Sequence, residues 1–253
     1  MTYAHIGIKA AKAAGDELAK MFVRPKKYSK KSSYDLLAEA DLRAETIIIS
    51  TIQKAFPDHS IFSEEAGKDK NKSPFQWIVD PLDGTINFVS GIEEYAVSIA
   101  LSYRKKPILG IIYQPYGKRL YVGEKGRGAF LNGKKMHVSV TPNIIDAVLA
   151  SDNTKNVSTR QENYDLIAQL CSRVRHIRIM GCSALHLARL ASGTIDAYIK
   201  TTFNYWDIAA GVVLIQEAGG RVSDLAGKPL QEGSRGIIAS NGSLHSQCIR
   251  LVE

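Results

Sequence analysis

Cysteine is scarce in this 253-residue sequence: Cys171, Cys182 and Cys248 are odd in number and far apart. No disulfide framework is expected from them, and their spacing suits a reducing compartment. Long hydrophobic runs are missing too. The longest, Ile208 to Ile215, spans eight residues, where a bilayer-crossing helix needs about 20. Met1-Thr2-Tyr3-Ala4-His5 holds no basic stretch leading into an apolar core, so no secretory signal is read there. The expectation is a soluble cytoplasmic protein with no membrane partner. The composition, 45% hydrophobic and 23% charged, excludes disorder, collagen and coiled coil. At this length one large domain, or two packed halves, can bury a core unaided by disulfides.

Acidic residues are in deficit: 25 Asp and Glu stand against 33 Lys and Arg, a net charge of +8. A basic surface can attract nucleic acid. Here the pairs Lys26-Lys27, Lys30-Lys31, Lys105-Lys106, Lys118-Arg119 and Lys134-Lys135 are scattered, and none is interleaved with the aromatics that stack on bases. A solvated positive surface is the better account, and no nucleic-acid partner is expected.

The spacing of Ile6, Ala10, Ala13 or Ala14, Leu18 and Met21 predicts an amphipathic helix over Tyr3 to Phe22. A basic loop is expected from Arg24 to Ser33, then a second helix from Asp41 to Ala55, stopped by Pro57. Gly67 to Pro74 reads as an exposed loop. Trp77-Ile78-Val79 is a buried strand ending at Asp80. Strand-like runs follow at Tyr95–Tyr103, Ile108–Tyr113, Arg119–Val122, Ala129–Leu131 and Met136–Val138. Asn132-Gly133 between the last two is a hairpin signal, so the middle third reads as an antiparallel meander.

After Pro142 strands and helices alternate: strands at Ala147–Ala150, Ile177–Ile179, Ile195–Ile199, Val222 and Ile237–Ile238, and helices at Gln161–Ser172, Ser183–Ala191, Ile208–Ala218 and Leu244–Leu251. That grammar indicates an α/β layer. The expected division is an N-terminal α+β half, 1–140, and a C-terminal α/β half, 141–253, forming one catalytic unit. No internal repeat is evident.

The chemistry concentrates in Asp80-Pro81-Leu82-Asp83-Gly84-Thr85. An apolar strand delivers two carboxylates onto a segment stiffened by Pro81 and freed by Gly84. Carboxylate and carbonyl oxygens suit a hard divalent cation such as Mg²⁺, so Asp80, Asp83 and the Leu82 carbonyl are candidate ligands. The Gly84 and Thr85 amides resemble an anion cradle if a helix starts there. Asp, Pro and Gly are also ordinary turn residues, Glu64-Glu65 after Ile61-Phe62 could be a solvated loop, and Asp207 could be a plain N-cap of an apolar helix. His186, on an apolar helix, reads as a packed core histidine.

Several mechanisms are excluded by spacing. No Cys has an Arg six positions on, and there is no His-Glu-x-x-His, Cys-x-x-Cys or Gly-Lys-Ser/Thr. Gly123, Gly126 and Gly128 do not make a dinucleotide fingerprint. The Asp80 loop is not an EF-hand, since its twelfth position is Gly91.

Trp77 to Val89 containing Asp-Pro-Leu-Asp-Gly-Thr, Ser63-Glu64-Glu65, Gly126 to Gly133, Gly181-Cys182-Ser183-Ala184-Leu185, and Trp206-Asp207-Ile208-Ala209-Ala210-Gly211 followed by Glu217-Ala218-Gly219-Gly220 resemble, in order and spacing, the inositol monophosphatase family. The likeness covers nearly the whole chain. It implies an αβαβα layered sandwich of the inositol monophosphatase and fructose-1,6-bisphosphatase type, and a lithium-sensitive, Mg²⁺-dependent phosphatase with two or three ions per site, acting as a homodimer. Carried over by position, Glu64, Asp80 and the Leu82 carbonyl hold one ion, and Asp80, Asp83 and Asp207 the second. Asp41 lies near a third, weaker ion and the attacking water, which Thr85 orients. Gly84 and Thr85 bind phosphate, and Gly181, Cys182 and Ser183 line the substrate side.

Lys200 stands where inositol phosphatases of the family often carry a Glu that accepts from ring hydroxyls. A cation cannot accept, so Lys200 either meets a second phosphate or points to solvent. The leading function is hydrolysis of a small phosphomonoester, inositol 1-phosphate first. The alternatives are fructose-1,6-bisphosphate, 3′-phosphoadenosine 5′-phosphate or histidinol phosphate as substrate, and, from another class, a basic scaffold binding RNA or protein.

Overall fold

Residues 2–23, 27–32, 35–153 and 157–252 are described by the computed structural model. Thr2 caps the first helix by accepting from the His5 N–H at 3.2 Å, and the stripe Ile6, Ala10, Ala14, Leu18 is buried along it. This helix, α1 (Tyr3–Phe22), is followed by an antiparallel pair, β1 (Tyr28–Ser32) and β2 (Asp35–Ala38). The pair replaces most of the basic loop expected here; Arg24, Pro25, Lys26 and Ser33 lie outside the described residues. Lysine-rich strands carry little β signal because the preference reflects packing rather than backbone.

The chain continues through α2 (Glu39–Ala55), β3 (Ser60–Ser63), β4 (Gly67–Lys68), β5 (Phe75–Asp83), α3 (Thr85–Ser90), β6 (Ala96–Tyr103), β7 (Lys106–Gln114), β8 (Arg119–Glu124), β9 (Gly128–Leu131) and β10 (Lys134–Lys135). Asn132 (φ 48°) and Gly133 (φ 80°) both have positive φ, as a type I′ hairpin requires. The return strand lies at Lys134–Lys135, not Met136–Val138; the Val138 N–H bonds the Ala218 carbonyl instead. Then come β11 (Val148–Ala150), α4 (Val157–Cys171), β12 (His176–Arg178), α5 (Ser183–Ala191), β13 (Ala197–Lys200), α6 (Tyr205–Glu217), β14 (Arg221–Ser223), β15 (Ile237–Ser240) and α7 (His245–Val252). No helix among the described residues is long and apolar enough to cross a membrane.

Eight strands form one sheet in the order β10-β9-β8-β7-β6-β5-β3-β4, and five form another, β12-β11-β13-β15-β14. The meander β5 to β10 is antiparallel, while β3 runs parallel to β5. Three apolar clusters place the helices. α1 and α2 pack with Trp77, Val97, Ile99 and Ile111 on one face of the large sheet. α5 and α6 pack between its other face and the small sheet. α4 and α7 cover the small sheet's outer face. The result is the expected αβαβα sandwich.

Alternation along β6 explains how close the central layer lies. Val97, Ile99 and Leu101 face α1 and α2, whereas Ala96 and Ala100 face α6. Gly110 on β7 continues this low surface: a Cβ there would stand 2.2 Å from the Ala210 carbonyl oxygen. α6 is apolar all round, as a helix buried between two sheets must be. Gly110→Ala should therefore force α6 off the sheet and cost about 1–3 kcal/mol, read as a lower urea midpoint. Gly126→Ala, where nothing lies within 4 Å of the added Cβ, bears only its backbone penalty and should cost less.

Candidate active site

Residues three apart on a regular strand point to opposite faces, so Asp80 and Asp83 could not serve one site if β5 were regular. It is not. β5 keeps pairing through Asp83, past the end expected at Asp80, but its register against β6 slips between Asp80, opposite Ser98, and Asp83, opposite Ala96. This bulge turns Leu82 into the α1–α2 core and leaves both carboxylates on the other side. The buried Asp80 accepts the Leu82 N–H at 3.1 Å, which stiffens the bulge. Gly84 then adopts φ 91°, with a Cβ position only 2.7 Å from the Glu94 carbonyl oxygen, so glycine alone fits where α3 begins.

Glu64 follows β3, its N–H bonded to the Val79 carbonyl at 3.1 Å. Glu45 of α2 fixes that corner: one of its oxygens accepts the Ser63 hydroxyl and the N–H groups of Glu65 (3.2 Å) and Ala66 (3.1 Å). Lys31 of β1 pairs with both Glu64 and Glu65. Asp41 accepts the Ala38 N–H at 2.8 Å and faces the Thr85 hydroxyl at 3.1 Å, which also lies 3.1 Å from the Leu82 carbonyl. Asp207 is not the N-cap of α6. Asn204 is, three residues earlier, and the Asp207 carboxylate reaches back to its N–H and side-chain amide, both at 3.4 Å.

These groups line one cavity of about 570 Å³, which Glu64, Asp80, Leu82, Asp83, Gly84, Thr85 and Asp207 share with Gly181, Ser183 and Lys200. Asp41 and Cys182 sit just behind its wall, bonded to Thr85 and Asp83 respectively. Burial raises the Asp41 pKa to about 7, helped by Glu64 and Glu65 and opposed by the Ala38 N–H. Burial also raises Asp83, to about 6, against the pull of the Ala184 N–H, which it accepts at 2.6 Å. Desolvated acids held together in this way lack positive charge.

The donor set fits a hard divalent cation: the converging groups are carboxylates and a carbonyl, all oxygen. Among the described residues no three His, Cys, Asp or Glu are gathered closely enough to hold a metal ion in the arrangement seen. Asp83 is held by Ala184, and Asp207 by Asn204, in the arrangement seen.

Sequence reasoning missed Asp152, and it undervalued His186. Asp152 is buried after β11 and accepts from the Gly181 N–H (2.9 Å), the Ser183 hydroxyl (3.1 Å), His186 Nδ1 (2.9 Å) and the Tyr198 hydroxyl (3.3 Å). His186 is a core histidine, as expected, yet with a polar duty. Its Nε2 has no hydrogen-bond partner among the described residues. Burial would raise Asp152, but His186, Lys200 and the Gly181 N–H outweigh it and hold the carboxyl below its usual range. Asn87 adds a clasp, donating to the Glu94 carbonyl (2.8 Å) and the Met180 carbonyl (2.7 Å). An acid just past an apolar strand, Val148-Leu149-Ala150-Ser151-Asp152, was the signal available for Asp152.

A family model described as the inositol monophosphatase family matches residues 2–253. The chain is 33% identical to a fructose-1,6-bisphosphatase/inositol-1-monophosphatase of Thermotoga maritima, over 97% of this chain and 93% of that one. It is 35% identical to inositol monophosphatase 3 of Solanum lycopersicum, over 97% and 94%. The crystal structure of the extragenic suppressor protein suhB from Bartonella henselae superposes with a TM-score of 0.94 at 33% identity, covering 98% of this chain and 97% of that one. The chain belongs to the inositol monophosphatase family, whose members are phosphatases that hydrolyse phosphomonoesters.

Asp41 also sets a pH dependence. Its folded pKa of about 7 lies above the ordinary carboxylate value, so from about pH 4 to 7 the unfolded chain gives up a proton that the folded chain keeps. Stability without metal therefore falls as pH rises through that window. Between pH 5 and 8 the chelator-treated protein should lose about 2–3 kcal/mol through Asp41. Thermal melts should show the loss, and Asp41→Asn should remove most of it.

Proposed function

We propose that this member of the inositol monophosphatase family hydrolyses a small phosphomonoester by direct attack of water on phosphorus, with inositol 1-phosphate as the leading substrate. The observation that carries this is the convergence of Glu64, Asp80, Asp83, Asp207 and the Leu82 carbonyl on one cavity beside the start of α3. Glu64, Asp80 and the Leu82 carbonyl would hold one Mg²⁺, and Asp80, Asp83 and Asp207 a second. Asp41 would serve a third, weaker position. Such ions, when bound, withdraw charge from phosphoryl oxygens and acidify a nearby water.

The chain's own groups do the rest. Thr85 has one hydroxyl proton between Asp41 and the Leu82 carbonyl, so its oxygen keeps a lone pair with which to orient water. The Gly84 and Thr85 amides meet the phosphate, and Gly181, Cys182 and Ser183 line the side that takes the alcohol. Among the described residues no group competes as a covalent nucleophile. The Cys182 thiol is pushed far up by burial and Asp83, and the Ser183 hydroxyl is committed to Asp152. Water therefore supplies the oxygen, the ester bond breaks, and the alcohol leaves with a proton.

Residues 1–140 and 141–253 act on this reading as one catalytic unit, since Asp207 and the α5 start come from the second half. Lithium inhibition, a homodimer and a cytoplasmic setting belong to the same proposal. A basic RNA- or protein-binding scaffold is the weaker account, because it gives no use to buried acids whose pKa values are raised.

Asp83→Asn should lower Mg²⁺-dependent turnover by more than about 100-fold, beyond what is typical when a group that only orients a ligand is lost, with an unchanged circular dichroism spectrum. Activity retained in that variant would end the proposal. A substrate panel of inositol 1-phosphate, fructose 1,6-bisphosphate, 3′-phosphoadenosine 5′-phosphate and histidinol phosphate, with and without lithium, should show inositol 1-phosphate hydrolysed and lithium inhibiting.

A further inference from the structure

Lys200 ends β13 with its side chain on the same side as Tyr198, since alternation sends Ala197 and Ile199 to the outer cluster and Tyr198 to the central layer. It is only 6% exposed, yet it lines the cavity. Among the described residues the only hydrogen bond of its ammonium is a long one, 3.4 Å to Ser183 Oγ. That oxygen is already shared, donating to Asp152 at 3.1 Å and lying 3.0 Å from the Tyr198 hydroxyl. Asp83 and Asp152 attract the ammonium at longer range, but neither is among its ion pairs. Two of its three N–H donors thus have no acceptor among the described residues. Buried polar groups are ordinarily satisfied, and a buried cation is the costliest to leave short.

We infer that Lys200 forms a second anion subsite, which binds an anionic oxygen group of the substrate other than the phosphate being hydrolysed. The inference rests on the phosphatase reading above and extends its substrate class beyond inositol 1-phosphate to phosphomonoesters that carry a further phosphate or a carboxylate. Inositol 1-phosphate, whose ring hydroxyls are neutral, would then occupy the cavity with this subsite unfilled. The placement supports a bridging ligand: the α3 start hangs from the large sheet, and Lys200 is built on the small one. Asp152 keeps the subsite in register, because it anchors Gly181 and Ser183 on one side and the Tyr198 hydroxyl on the other. Arg160 and Asn153 line the same cavity.

The test compares kcat/KM for fructose 1,6-bisphosphate and for 2-phosphoglycerate with that for inositol 1-phosphate, in wild type, Lys200→Gln and Lys200→Arg. Each doubly anionic substrate should show a lower KM than inositol 1-phosphate in wild type. The kcat/KM ratio should fall about tenfold or more in Lys200→Gln, the scale of one charge-assisted hydrogen bond, and recover in Lys200→Arg. The substrate whose ratio falls shows whether phosphate, carboxylate or both fill the subsite. An unchanged ratio, or an equal fall on every substrate, would overturn the inference, the latter assigning Lys200 to the reacting phosphate or to packing. Thermal melts confirm that the variants are folded. Absence of Mg²⁺-dependent turnover of all three substrates by wild type would instead defeat the phosphatase reading.

Discussion

A strand that must present two carboxylates to one cavity from positions three apart has to break its own alternation, and the rest of the site depends on how β5 does so. The slip between Asp80 and Asp83 exchanges the faces of Leu82 and Asp83. Leu82 becomes part of the core under α1 and α2, so the bulge is anchored by apolar burial rather than by the ligand it serves. Its carbonyl and the Asp80–Leu82 hydrogen bond follow from the same distortion. The geometry of the cavity's acids is thus stored in the packing of the N-terminal layers.

The second half reaches this bulge through the central helix layer. α5 starts with its Ala184 N–H on Asp83, and α6 carries Asp207 in its first turn. α6 lies close because the sheet offers it Ala96, Ala100 and Gly110. Helix-to-sheet distance and acid-to-acid distance are therefore one variable: a methyl group on the sheet moves a carboxylate in the cavity. Asp152 holds the remaining side of this assembly by collecting four donors, Gly181 before α5, Ser183 and His186 on α5, and Tyr198 on β13.

Periodicity made the long amphipathic helix, the meander and the Asn132-Gly133 hairpin legible, because each obeys a local rule. Glu64, Asp80, Asp83 and Asp207 were legible as acids at element ends, and the cavity does gather them. Three features escaped. β1 is too lysine-rich, and β2 too short, to register as strands. Asn204 was passed over as the α6 cap because the apolar run begins only at Ile208, although Asn204-x-x-Asp207 has the spacing of a capping box. Glu45 and Asp152 act by collecting donors from residues 18 to 46 positions away in sequence, and no window along the chain displays such a partnership.

The cysteines, few as they are, divide by environment. Cys182 is buried against Asp83 and Cys248 on the inner face of α7, with thiols raised well above the usual range and to about 12 respectively. Neither offers a thiolate at neutral pH, and the thiolate is the reactive form. Cys171, at the end of α4 on the outer layer, is exposed. The unaltered chain therefore carries one natural attachment point for a fluorophore or spin label, on the helix that also bears Arg160 at the cavity.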